Sequence, residues 1–164
     1  MSDPVRAYIA LGANLGDAAM AIRQAVIAID GLPECSVKKT SSLYKTTPLE
    51  MLPGHASGGD YINAVIEIET RLVAPSLLQY LQHIELDAGR ERPYVNAPRT
   101  LDLDLLLYGD GFIDSPQLTV PHLRMWQRAF VLIPLAEIAP KLVSVAQLLS
   151  VASQHIGSLG GIAA

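Results

Sequence analysis

The chain has a single cysteine, Cys35, in 164 residues. One thiol cannot close an internal disulfide, and no CxxC or Cys/His spacing surrounds it, so a disulfide scaffold and a cysteine-ligated metal are excluded. Cys35 reads as a structural thiol in a reducing compartment. Charge is also sparse: 17% of residues are charged and the net charge is −4, which leaves no global basic field for non-specific nucleic-acid binding. Any anion site must be local. No apolar run reaches membrane-spanning length, and Met1-Ser2-Asp3-Pro4-Val5-Arg6 has no basic region leading into a long apolar stretch. A soluble, cytoplasmic protein is expected. There is no internal repeat, linker or low-complexity block, so residues 1–164 are expected to form one domain, half of it apolar and large enough to bury a substantial core.

The costliest stretch is Arg99-Thr100-Leu101-Asp102-Leu103-Asp104-Leu105-Leu106-Leu107-Tyr108. As a strand it points Leu101, Leu103, Leu105 and Leu107 one way and Thr100, Asp102 and Asp104 the other. The two carboxylates would then sit roughly 7 Å apart at Cα, a spacing at which they repel each other and can share hard cations, magnesium first. Alternatively, they are the solvated face of an amphipathic edge strand. The flanks favour a site, because Arg90, Arg92 and Arg99 lie just upstream and His122, Arg124 and Arg128 downstream. Cations around a carboxylate pair suit metal on one side and phosphate oxygens on the other.

Val5–Leu11 reads as a strand, and Gly12-Ala13-Asn14-Leu15-Gly16-Asp17 as a tight turn that also caps a helix carrying Ile22, Ala25, Val26 and Ile29. The glycine spacing matches neither the P-loop nor the dinucleotide fingerprint. Cys35–Tyr44 is strand-like and leads into a Gly- and Pro-rich loop up to Asp60. Tyr61–Glu69 alternates, with Ile62, Ala64, Ile66 and Ile68 on one face and Tyr61, Asn63, Val65 and Glu67 on the other. Pro75 opens a helix striped by Leu77, Leu78, Leu81 and Ile84 and ended by Gly89; the irregular segment Arg90–Pro98 comes next. Segments 49–60 and 90–98 are the expected moving parts. Phe112-Ile113 and Leu118-Thr119-Val120 are short strands, Pro121-His122 opens a helix holding Arg128 and Phe130, and Pro134 and Pro140 break the chain beyond Phe130. A short helix through Val145, Leu148, Leu149 and Ala152 precedes a Gly/Ala tail expected to be loose from Gly157. The order β-α-β-β-α-β with additions predicts an α+β, ferredoxin-like sandwich whose helices cover one face of an antiparallel sheet.

Four segments carry a family resemblance: Leu11-Gly12-Ala13-Asn14-Leu15-Gly16, Asp60-Tyr61-Ile62-Asn63, Pro98-Arg99-Thr100-Leu101-Asp102-Leu103-Asp104 and Leu118-Thr119-Val120-Pro121-His122. Together, from about Tyr8 to Pro140, they resemble the 6-hydroxymethyl-7,8-dihydropterin pyrophosphokinases of folate biosynthesis. The last two segments, in that order and separation, are the specific part. The resemblance implies transfer of the terminal pyrophosphate of ATP to the pterin hydroxymethyl oxygen, with release of AMP. It implies two magnesium ions held by Asp102 and Asp104, with Arg90 and Arg92 as further catalytic residues on a loop closing over ATP. Arg92, Arg99, His122 and Arg128 would contact the nucleotide, near Gln82, Glu85, Leu105 and Thr119. For the pterin it implies Thr46, Thr47, Pro48 and Leu49, the pair Tyr61 and Asn63, and Phe130, whose ring and amide suit a flat heterocycle with alternating donors and acceptors.

Two positions depart from the family pattern. Asn96-Ala97 stands where many relatives have Trp, and Gln117 where they have Arg, which removes one cation near the phosphates. A ferredoxin-like regulatory domain would share the fold without catalysis but leaves the paired aspartates among arginines unexplained. A metal-dependent nuclease would use paired carboxylates, yet the acidic balance opposes it. A monomer acting on small molecules, without nucleic acid or membrane, is expected.

Overall fold

In the computed structural model, residues 3–14, 17–46, 61–89 and 101–162 are described. Among them the chain runs β1 (Val5–Ala13), α1 (Ala18–Asp30), β2 (Cys35–Thr40), β3 (Ser42–Thr46), β4 (Tyr61–Thr70), α2 (Ala74–Gly89), β5 (Asp102–Tyr108), β6 (Ile113–Asp114), β7 (Thr119–Val120), α3 (Ala129–Ile138), α4 (Val145–Ser150) and β8 (Ile156–Gly161). The segments 49–60 and 90–98 lie outside the described residues.

The main sheet is antiparallel in the order β5-β1-β4-β3-β8, with β2 also on β4. The alternation read in β4 holds. Ala64, Ile66 and Ile68 join Ile9 and Leu11 of β1 and Leu103 and Leu105 of β5 in the core under α1 and α2. Val65 faces the other way, with Tyr8, Ala10 and Leu106, into a second core roofed by α3. Helices therefore cover both faces, where one was expected. The face that carries Asn63 and Glu67 looks polar in sequence but is buried, because Tyr8 donates its hydroxyl to Glu67 Oε1 at 2.5 Å. Burial first, then that bond and the Glu67 charge, push the Tyr8 phenol up to about 12, so it stays a donor.

Local chemistry explains the element ends. Asp17 caps α1 by accepting from Met20 N–H at 3.0 Å, and Gly31 closes it. The expected single strand over 35–44 is two, parted at Ser41. That buried residue takes Val65 C=O with its N–H and Val65 N–H with its Oγ, each at 2.9 Å, so the ladder breaks without orphaning either group. In β5 the expected alternation ends at a bulge: Tyr8 pairs with Leu107 but Ile9 with Leu105. Leu107 thereby leaves the face of Leu103 and Leu105 and packs, like Leu106, under α3.

The helix expected from Pro121 starts only at Ala129. His122 N–H is tied to Leu106 C=O at 3.0 Å, a 3-10 turn occupies Met125–Gln127, and Arg128 is extended at φ −122, ψ 115. Pro134, expected to break this helix, sits inside it. An interior proline costs ~3 kcal/mol. Val131, Leu132, Leu135 and Ile138 are all buried by keeping the helix whole, at about 1.5–3 kcal/mol each, and that burial outweighs the lost bond. Residues 157–161, expected to be part of a loose tail, are held as well, since β8 pairs with β3 from Thr46↔Ile156 to Ser42↔Gly161.

Glu137 joins α3 to β3. Its carboxylate accepts from Ser42 N–H at 2.9 Å, Ser42 Oγ at 2.8 Å and Tyr44 Oη at 2.6 Å. Partial burial alone would raise this carboxyl, but the three bonds outweigh it and hold the group below the ordinary glutamate range. Its stabilisation is complete above the ordinary range and is lost as pH falls through the lowered value. Glu137→Gln is therefore expected to lower the melting temperature at neutral pH, with the difference from wild type shrinking below about pH 4. Melting curves across pH 3–7 check this: a gap that is constant with pH contradicts it.

Candidate active site

Three neighbouring strands build the floor. Gly12 of β1 pairs with Asn63 of β4 on one side and Asp102 of β5 on the other; two residues back, Ala10 lies between Val65 and Asp104. The sequence thus places its two smallest options between the amide and the carboxylates, and a cavity of about 510 Å³ opens above them. A Cβ on Gly12 would lie 3.0 Å from Asn63 Oδ1. Gly12→Val is accordingly expected to fill this floor, to weaken binding of a flat ring above it about tenfold, and to lower the melting temperature, because buried Asn63 must give way. Titration calorimetry with the pterin checks this, and unchanged affinity would show the floor to be unused.

The walls of this cavity bring together most of the residues predicted for the pterin. Thr46 and Tyr61 are a cross-strand pair, and Asn63 Nδ2 donates to Thr46 Oγ1 at 3.0 Å. Phe130 closes the opposite side from the first turn of α3, with the Arg128 guanidinium 5.3 Å from its ring centroid, a cation–π contact. Thr47, Pro48 and Leu49 lie outside the described residues. Gln127, Gln154 and His155 also line the cavity, and no sequence pattern singled them out. One signal existed: Arg128 at the N-cap of α3 carries no capping oxygen, so the first N–H groups of that helix had to find an acceptor elsewhere.

A second cavity, of about 450 Å³, lies on the other side of Asp104. Leu105, Thr119, His122 and Arg128, all predicted for the nucleotide, line it, together with the apolar Leu78 and Leu118 and the polar Gln117 and Arg124. Asp104 and Arg128 border both cavities. His122 Nδ1 accepts Arg124 N–H at 3.2 Å, which leaves Nε2 to carry the proton and donate outward. Two predicted nucleotide residues sit differently. Glu85 accepts Leu103 N–H at 2.8 Å, pairing the outer edge of β5 to α2, and Gln82 is exposed on α2 without lining either cavity. Arg90, Arg92 and Arg99 lie outside the described residues.

Asp102 and Asp104 are half-buried on the face of β5 that lines the first cavity. Among the described residues no cluster of three or more His, Cys, Asp or Glu side chains could hold a metal by itself. A pair of carboxylates with no softer donor fits Mg²⁺, which keeps most of its coordination for water and phosphate oxygens.

An α+β sandwich in which Asp104 borders two adjoining cavities, with Asp102 beside it in the first, has room for two small molecules side by side. Residues 8–140 match the family model described as 7,8-dihydro-6-hydroxymethylpterin-pyrophosphokinase. The 2-amino-4-hydroxy-6-hydroxymethyldihydropteridine pyrophosphokinase of Pseudomonas aeruginosa is 45% identical over 137 residues, 84% of this chain and 82% of that one. That of Haemophilus influenzae is 46% identical over 139 residues, 85% of this chain and 84% of that one. Among solved structures, Plasmodium falciparum HPPK-DHPS with pterin and p-hydroxybenzoate superposes with a TM-score of 0.67 at 15% identity, covering 85% of this chain and 40% of that one. An HPPK-DHPS in complex with substrates gives 0.63 at 12%, covering 84% and 41%. The chain thus spans about two fifths of those solved chains, and the likeness there is one of fold.

The chain belongs to the 7,8-dihydro-6-hydroxymethylpterin-pyrophosphokinase family. It is an ATP-dependent diphosphotransferase of folate biosynthesis, as the resemblance of its motifs implied. Among the described residues no helix is long and apolar enough to cross a membrane.

Proposed function

We propose that the cavity of Thr46, Tyr61, Asn63 and Phe130 takes 6-hydroxymethyl-7,8-dihydropterin, that the adjoining cavity of Leu105, Thr119, His122 and Arg128 takes ATP, and that Asp102 and Asp104 hold two Mg²⁺ ions between them. The observation that carries this is the shared boundary: Asp104 and Arg128 line both cavities. Two substrates bound on either side of it would be held close enough to react without diffusing, which supplies much of the rate. The hydroxymethyl oxygen forms a bond to the β-phosphorus, and the bond from that phosphorus to the oxygen bridging the α-phosphate breaks. AMP leaves with the bridging oxygen, and the hydroxyl proton passes to water. When bound, Mg²⁺ neutralises charge on the phosphate oxygens and eases ionisation of the attacking hydroxyl. Arg128 offsets charge that grows on the transferred group, and His122 Nε2–H donates to a phosphate or ribose oxygen. By the family resemblance Arg90 and Arg92 close over ATP and Arg99 meets its phosphates, with Thr47, Pro48 and Leu49 completing the pterin side. We place the enzyme in the cytoplasm as a monomer.

Asn63 separates the two cavities experimentally, because it lines only the first. It is buried, and one N–H is taken by Thr46 Oγ1. Asn63→Ala should weaken pterin binding by about 1–3 kcal/mol and leave ATP affinity nearly unchanged. Isothermal titration with each substrate tests this, and loss of ATP affinity with pterin affinity intact would exchange the two cavities.

A further inference from the structure

We propose that Gln154 is a positioning residue whose side-chain amide clamps residues 127–129, so that Arg128 and Phe130 present a fixed wall to the substrates. This rests on the placement of the pterin beside Phe130. Gln154 lies beyond residue 140, where the family match ends. Its Oε1 accepts Ala129 N–H at 2.8 Å and its Nε2 donates to Gln127 C=O at 2.9 Å. The two bonds fall on either side of Arg128, which has no side-chain capping bond of its own at the start of α3. A carboxamide offers a donor and an acceptor from a single plane, as these two backbone groups require.

The consequences reach both cavities. Arg128 borders each of them and its guanidinium rests on the Phe130 ring, so a shift of its main chain moves the ring and the charge together. The clamp is anchored in turn. Val151 is buried three residues earlier, and Ile156, two residues later, pairs with Thr46 on the opposite wall of the same cavity. Glu137 ties the far end of α3 to β3, and Gln154 ties its start, residues 127–129, toward the same strand through a C-terminal segment that contributes no other bond to those residues among the ones described.

The test is steady-state kinetics of the full chain, well below its melting temperature, for Gln154→Leu, Gln154→Glu and Phe130→Ala. Trp126, the single tryptophan of the chain, lies in the clamped turn Met125–Gln127 and reports its environment by fluorescence. Gln154→Leu is expected to raise the pterin KM about tenfold, the scale set by two lost hydrogen bonds, with a smaller change in the ATP KM and a red-shifted Trp126 emission. Gln154→Glu keeps the acceptor for Ala129 and loses the donor to Gln127, so its pterin KM should fall between wild type and Gln154→Leu; it carries the test if the leucine variant does not fold. If both Gln154 variants lower only the melting temperature while Phe130→Ala raises the pterin KM, the clamp is structural and the proposal is wrong. If Phe130→Ala also leaves the pterin KM unchanged, the pterin placement has failed and the clamp proposal falls with it.

Discussion

Asp104→Ala should turn over ATP and hydroxymethyldihydropterin about 10³-fold more slowly than wild type, or worse, while folding normally. A metal site supplies several kcal/mol of transition-state stabilisation, and each 1.36 kcal/mol is tenfold in rate. Asp104 lies on the boundary of both cavities, so in the proposed arrangement its loss removes a metal ligand where the two substrates would meet. The fold should not suffer. Asp104 is half-buried at the edge of the sheet, Ala10 opposite it is small, and removing one of two like charges on alternate residues of one strand relieves repulsion. The melting temperature should therefore hold or rise. Asp102→Ala should behave alike in rate. Near-normal Mg²⁺-dependent AMP formation in either variant would remove the carboxylates from the metal site.

Arg128→Ala should rank second, with kcat/KM lower by about 10²–10³-fold, the loss found when one preorganised donor to developing charge is deleted. Arg128→Lys should recover only part of this, because an ammonium keeps the charge but neither the planar fork nor the stacking on Phe130 at 5.3 Å. The effect should fall on kcat more than on ATP KM if the charge that Arg128 meets grows during transfer. Single-turnover quench measurements separate the two. An unchanged chemical rate with much weaker ATP binding would make Arg128 a ground-state anchor.

The sequence was most informative where a side-chain pattern repeats. The alternation of Tyr61–Glu69 placed Asn63 and Tyr61 on one face, and the α2 stripe through Leu77 and Leu81 identified its buried side. The strand of Asp102 and Asp104 was readable through its leucines as far as Leu105; beyond that a backbone bulge, which leaves no residue signature here, reversed the faces. Strand β8 was hidden for a related reason. Gly157, Ser158 and Gly160–Gly161 pair through their main chain and stay exposed, so no apolar alternation marks them. Missing β8 meant missing Gln154 and His155, which reach the first cavity from the approach to that strand. The second covered face went unread because Glu67 looked like a solvent residue. Its burial depends on Tyr8, 59 positions away, and only the tertiary fold brings them together. Phe130 came from the family resemblance, since α3 is apolar nearly all round and its periodicity singles out no face, whereas Arg128 was already marked by the basic residues flanking the aspartate strand.

The central claim is that one substrate on each side of Asp104 and Arg128 yields transfer of pyrophosphate. Product analysis tests it most directly: purified chain, ATP and 6-hydroxymethyl-7,8-dihydropterin, with the nucleotide product resolved by chromatography in the presence and absence of Mg²⁺. The account predicts AMP in equal amount to the pterin diphosphate, dependent on both Mg²⁺ and the pterin and lost in Asp104→Ala. ADP as the nucleotide product, or AMP formed at the same rate by Asp104→Ala, would contradict it.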